Sequence, residues 1–99
     1  MGRVAVAARE RRLDVQDLEP PEPLERVLAA LPGLQPGEYL RMLHRREPLL
    51  LYEILEASGY RYAVREGPEA PFEILIWREG DTEAEEAART RAGEAGNRG

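Results

Sequence analysis

Between residues 12 and 79 the apolar side chains change their spacing repeatedly, from every second residue to the helical repeat and back, and a proline or glycine stands at each change. That punctuation leaves room only for short elements. Leu13 and Val15 alternate with Arg12, Asp14 and Gln16, which predicts a strand ending near Leu18. Pro21 and Pro23 suit the first turn of a helix, where the missing N–H is not needed. Leu24, Val27, Leu28 and Leu31 follow at helical spacing until Pro32-Gly33 stops them. A turn at Pro36-Gly37 opens a second strand, Glu38 to His44, with Leu40 and Met42 on one face. Glu47-Pro48 starts a second helix, which carries Leu51, Ile54 and Leu55 on one side and ends at Gly59. Tyr60, Tyr62 and Val64 alternate with Arg61 and Arg65, Gly67-Pro68 turns the chain, and Phe72, Ile74 and Ile76 alternate with Glu73, Leu75 and Trp77. The order β-α-β-α-β-β implies an α+β two-layer sandwich, a four-stranded sheet with both right-handed crossover helices on one face.

The helix starts echo each other, as Glu22-Pro23-Leu24 and Glu47-Pro48-Leu49, 25 residues apart. Proline and an acidic residue are favourable in any helical first turn, and no longer repeat accompanies the echo, so shared helix chemistry accounts for it.

Composition narrows the function. With no cysteine among 99 residues, a disulfide framework, a thiolate zinc site, an iron–sulfur cluster and a cysteine nucleophile are all excluded. A single histidine cannot build a multi-histidine metal centre, and no cofactor is expected. The 14 basic residues, all arginine, are outnumbered by 19 acidic ones for a net charge of −5, so non-specific nucleic-acid binding lacks its usual drive from phosphate neutralisation. No apolar run approaches the roughly 18–20 residues that span a bilayer, and Val4-Ala5-Val6-Ala7-Ala8 is too short for a signal-peptide core. A cytoplasmic protein is the expectation, without membrane or nucleic-acid partners, as a monomer or weak homodimer with a protein partner still to be identified.

The ends of the chain read differently from its centre. Residues 1–11 form an expected flexible segment and residues 12–79 the domain. After Trp77 the only apolar residues are alanines, so residues 80–99 are expected to be a disordered tail. Thr82-Glu83-Ala84-Glu85 has capping-box spacing, but a helix started there would carry no stripe of large apolar side chains to dock.

Two successive βαβ crossings bring the carboxyl ends of the first two strands and both helix N-termini to one edge of the sheet, where open α/β sheets bind ligands. The candidate ligand-binding residues there are Glu19, Glu22, His44, Arg45, Arg46 and Glu47. Helix N-termini offer unpaired N–H groups and partial positive charge, and Arg45 and Arg46 would complete an anion site. The three glutamates could instead compensate both arginines in a self-satisfied network. His44 could supply one metal ligand beside those carboxylates, could titrate near neutral pH, or could be an ordinary hydrogen-bonded residue. No spacing fixes a carboxylate pair for acid–base hydrolysis, so no catalytic residue is assigned. On the opposite face of the sheet, strand parity places Leu43, Leu75 and Trp77 where no expected helix covers them. They are candidates for an interface with a partner or a second copy, unless residues 1–11 cover them.

The segment Leu13-Asp14-Val15-Gln16-Asp17-Leu18-Glu19-Pro20-Pro21-Glu22-Pro23-Leu24 resembles the opening of SirA/TusA-like proteins, where a strand leads into a Cys-Pro-x-Pro motif at the first helix. Pro21, Glu22 and Pro23 match Pro-x-Pro, and Pro20 stands at the cysteine position. Leu34-Gln35-Pro36-Gly37-Glu38 is similar to the turn before that family's second strand, so the resemblance covers about residues 12–79. Within the superfamily the chain looks most like an uncharacterised cysteine-less branch marked by Glu-Pro-Pro-Glu-Pro and by Arg-Glu-Pro-Leu, here Arg46 to Leu49. The resemblance implies a mixed sheet of order 1-2-4-3 with the last strand antiparallel. It does not carry over the sulfur chemistry, because proline has no thiol to hold a persulfide. Members of that branch can occur beside hemerythrin-like or nitrogen-oxide-metabolism domains, which implies an accessory role in redox or nitrogen-oxide metabolism. The expected function is therefore a non-catalytic protein-interaction or small-ligand-binding domain. The alternative is a metal- or anion-dependent activity around His44.

Overall fold

In the computed structural model, which describes residues 9–96, the strands β1 (Glu10–Asp14), β2 (Tyr39–His44), β3 (Tyr60–Arg65) and β4 (Phe72–Arg78) form one mixed sheet in the order β1-β2-β4-β3. β1 runs parallel to β2, and β4 is antiparallel to both of its neighbours. The register aligns Leu13, Met42, Ile74 and Val64 across the sheet on the face where α1 (Glu22–Ala30) and α2 (Leu49–Ala57) lie. Val27 from α1 and Leu51 and Leu55 from α2 meet Leu40, Met42, Ile74 and Ile76 there, forming the main core.

Local chemistry sets the ends of the helices. Pro23 lies within the first turn of α1, where Glu22 and Glu25 complement the helix dipole, and a 3-10 turn over Leu31–Gly33 follows its last residue. α2 ends before Gly59, whose φ of +86° is easy only for glycine and lets β3 begin one residue later. No helix among the described residues is long and apolar enough to cross a membrane.

The two ends of the chain correct the sequence reading. Glu10 and Arg11 pair with β2 as part of β1, so the sheet reaches into the segment expected to be flexible, and that strand ends at Asp14 instead of near Leu18. Residues 1–8 of that segment lie outside the described residues, as do residues 97–99 of the expected tail. The rest of the tail is not a solvated chain. A third helix, α3 (Thr82–Gly96), covers the sheet face opposite α1 and α2, so the two-layer sandwich gains a further layer.

Ala84 and Ala88, one helical turn apart, are fully buried against Tyr39, Leu75 and Trp77, with Ala87 and Ala92 at the margin. Here the sheet supplies the large apolar surface, and the small helix side chains allow close approach; a stripe of large residues on the helix is unnecessary. Asp81 caps the helix: its Oδ1 accepts the Ala84 N–H at 3.1 Å, and its Oδ2 accepts the Gly37 N–H at 2.9 Å, tying α3 to the turn before β2.

Leu43, Leu75 and Trp77 do lie on the face that parity assigned them, but each is fully buried. They are core residues and not an exposed interface, because α3 covers Leu75 and Trp77. Beside this second core lies a buried ionic cluster. Arg41, 2% exposed, donates to Glu10 at 2.8 Å, to Glu73 at 3.0 Å and to Glu69 at 3.1 Å. Glu73 is fully buried and also accepts from Arg65 at 2.8 Å and from the Glu69 backbone N–H at 3.0 Å. Gly67 in the β3–β4 loop lies so close that a Cβ there would stand 2.0 Å from the Glu73 carboxylate. Burial pushes the Glu73 carboxyl up, but the Glu69 N–H, Arg65 and Arg41 outweigh it and hold the group below its ordinary range.

Candidate functional site

The carboxyl edge of β1 and β2 opens into a cavity of about 310 Å³ between the starts of α1 and α2. This is the edge singled out by topology. One wall is Leu18, Pro20, Pro21, Pro23 and Leu24. Met42 and His44 reach it from the helix-facing side of β2, and the segment from Arg45 to Leu51 closes the other side. The lining is mainly hydrocarbon, with its polar groups concentrated in residues 44–47. Leu49 and Leu50 at its rim are 65% and 60% exposed, unusual for leucine at a helix start.

His44 is the last residue of β2 and is 9% exposed. Its Nδ1 accepts the Arg45 backbone N–H at 3.0 Å, so the neutral ring carries its proton on Nε2, which hydrogen-bonds to no described residue. Burial first, then the positive charges of Arg45 and Arg46, hold this ring below the ordinary histidine range. At neutral pH the site therefore presents an uncharged N–H donor.

The two arginines differ. Arg45 donates to Glu19 at 3.1 Å, whereas the Arg46 guanidinium makes no ion pair or hydrogen bond with any described residue. Glu47 lines the cavity and accepts the Tyr52 hydroxyl at 3.3 Å, and Tyr52 stacks on Tyr62 with ring centroids 4.5 Å apart. At the start of α2 the Leu49 N–H bonds to the Glu47 carbonyl and the Tyr52 N–H to the Pro48 carbonyl. The Leu50 and Leu51 N–H groups lie in the first turn without acceptors among the described residues.

The structure thus brings His44, Arg45, Arg46 and Glu47 together around the cavity, along with Pro20, Pro21 and Pro23 of the motif. Glu19 joins them only through Arg45. Glu22 does not: it turns along α1 to accept from Arg26 at 3.1 Å, an ordinary pair four residues apart. The self-satisfied network expected from the three glutamates forms only in part, since Arg46 stays outside it. Among the described residues no group of three His, Asp and Glu is placed to hold a metal ion.

Sequence reasoning missed the apolar walls, because Leu24, Met42 and Leu51 carry the spacing of ordinary core residues. The exposed pair Leu49-Leu50 just after Pro48 was the available signal.

Acid titration tests the state of His44. Its folded-state pKa is depressed, so its contribution is complete above about pH 6.5 and is lost as pH falls from there through the lowered value. Glu10 and Glu73 are also depressed, and their contribution persists until pH falls below about 4.5 and through their own lowered values. Denaturant melts between pH 8 and 3 should therefore show two stages of stability loss, and His44→Gln should remove the upper one alone. A single stage, unchanged in that variant, would mean that His44 titrates alike in the folded and unfolded chains.

A family model described as "Uncharacterized conserved protein (DUF2249)" matches residues 12–78. No curated protein and no solved structure is detectably similar to the chain.

Proposed function

The chain belongs to the DUF2249 family, and from that starting point we propose that it is a non-catalytic small-ligand-binding domain of SirA/TusA-like fold whose site is the cavity at the carboxyl edge. The observation that carries this reading is the cavity itself, lined by hydrocarbon and holding a nearly buried histidine with a free Nε2–H. Such a concavity with a few convergent polar groups is the usual form of a small-molecule site. The sheet order β1-β2-β4-β3 with an antiparallel β4 supports the SirA/TusA-like assignment. So does Pro20 in the cavity wall, at the position where sulfur carriers hold their cysteine. With no thiol, that position shapes a wall and transfers nothing. Binding is favoured over chemistry because the lining holds no serine, threonine, cysteine or lysine and only one carboxylate, that of Glu47.

A fragment screen read by amide chemical shifts tests the reading. Compounds of up to about ten heavy atoms should move the signals of residues 18–24 and 44–51, and Leu24→Trp, which fills the cavity, should abolish those shifts. Shifts confined to α3 and the β3–β4 loop, or none at all, would overturn it.

A further inference from the structure

We propose that the cavity takes a small aliphatic carboxylate, its charged end held by Arg46, the His44 Nε2–H and the first-turn N–H groups of α2, its hydrocarbon body against Leu18, Leu24 and Met42. This rests on the binding-domain reading above and names the ligand class. Charge comes first. Of the two guanidinium groups at the edge, Arg45 is held by Glu19, whereas Arg46 pairs with no described residue, which leaves its N–H donors for a ligand.

The donor set points the same way. A guanidinium presents paired N–H groups that match the two oxygens of a carboxylate. The Leu50 and Leu51 N–H groups lack acceptors among the described residues, and the partial positive charge of a helix N-terminus favours an anion beside them. Independently of that helix, His44 is more than nine-tenths buried and lines the cavity with one nitrogen tied to the backbone and the other free.

The walls then select among anions. Phosphate or sulfate would leave oxygens against leucine, proline and methionine, at the cost of lost hydration. An alkyl chain gains from the same surface. Glu47, which also lines the cavity and whose carboxylate accepts from Tyr52, disfavours a second negative charge, so a monoanion fits better than a dianion.

The test uses the full chain at pH 7.5, titrated with acetate, butyrate and hexanoate, with hexanamide as the uncharged counterpart of hexanoate, and with inorganic phosphate. Binding is followed calorimetrically and located by amide shifts. Affinity should rise roughly fourfold per added methylene, and hexanamide should bind at least about tenfold more weakly than hexanoate. Arg46→Gln should cost hexanoate about tenfold while leaving hexanamide unchanged. Hexanamide binding as tightly as hexanoate would overturn the carboxylate assignment and leave the binding domain standing. Phosphate binding more tightly than hexanoate would likewise replace an aliphatic carboxylate with a bare anion. If neither hexanoate nor hexanamide moves signals around the cavity, the inference and the reading beneath it both fall.

Discussion

Glu73→Gln should cost the fold about 3–5 kcal/mol, the expected penalty for breaking a buried ion pair from one side. The carboxylate is fully buried and is shared by Arg41 and Arg65, both nearly buried themselves. The neutral amide keeps the shape but leaves two guanidinium groups facing an uncharged neighbour. For a domain whose total stability is on the order of 5–15 kcal/mol, that is a large share. Glu69→Gln is the contrasting case. Glu69 also pairs with Arg41, but its side chain is 46% exposed and water screens it, so its loss should cost far less than that of Glu73. Replacing Arg41 and Arg65 by Met together with Glu73→Leu should recover much of the Glu73→Gln loss, because the buried charges are removed together while Glu10 keeps Arg91 and Glu69 keeps Arg12. Urea unfolding of the variants decides the matter. Equal effects of Glu73→Gln and Glu69→Gln would show that water reaches the cluster.

Ending the chain at Gly80 should be just as damaging. Without α3, the faces of Tyr39, Leu75 and Trp77 that now meet Ala84 and Ala88 return to water. Each large side chain is worth about 1.5–3 kcal/mol when fully buried, so even partial uncovering of three of them removes several kcal/mol. The same cut removes Arg91, which pairs with Glu10 at 3.5 Å, and Asp81, which caps α3 and holds the Gly37 turn. The shortened chain should unfold at much lower urea concentration or associate through the uncovered face. In the full chain, α3 amides should be protected from exchange nearly as well as those of β4. A chain ending at Gly80 that keeps its unfolding midpoint would make α3 an ornament of the fold.

Both predictions concern the face of the sheet that was hardest to read in the sequence. Alternation in Leu13, Leu40, Met42, Ile74 and Ile76 identified the helix-facing side, and prolines and glycines placed the turns, because those signals are local. The carboxyl edge was legible for the same reason, since topology alone brings Pro20–Pro23 and His44–Glu47 together. The opposite face depends on a partner far away in sequence. Arg41 and Glu73 look like outward-facing polar residues until the β3–β4 loop and α3 bury them, and alanines register as apolar only when a Trp77 stands opposite. Glu22 misled in the other direction: its place beside Pro21 and Pro23 suggested the site, but helix geometry delivered it to Arg26.

The position of Trp77 also decides how the molecule reports on itself. It is the only indole in the chain, enclosed beneath α3 with the Arg89 guanidinium 5.2 Å from its ring centroid. Its emission is therefore a gauge of whether α3 is seated. The cavity lies across the sheet, where the neighbouring chromophores are Tyr52, bonded to Glu47, and Tyr62 stacked upon it. A ligand that fills the cavity would register in the tyrosine ultraviolet signals and leave the tryptophan spectrum still, so the two sides of one sheet can be watched separately in the same cuvette.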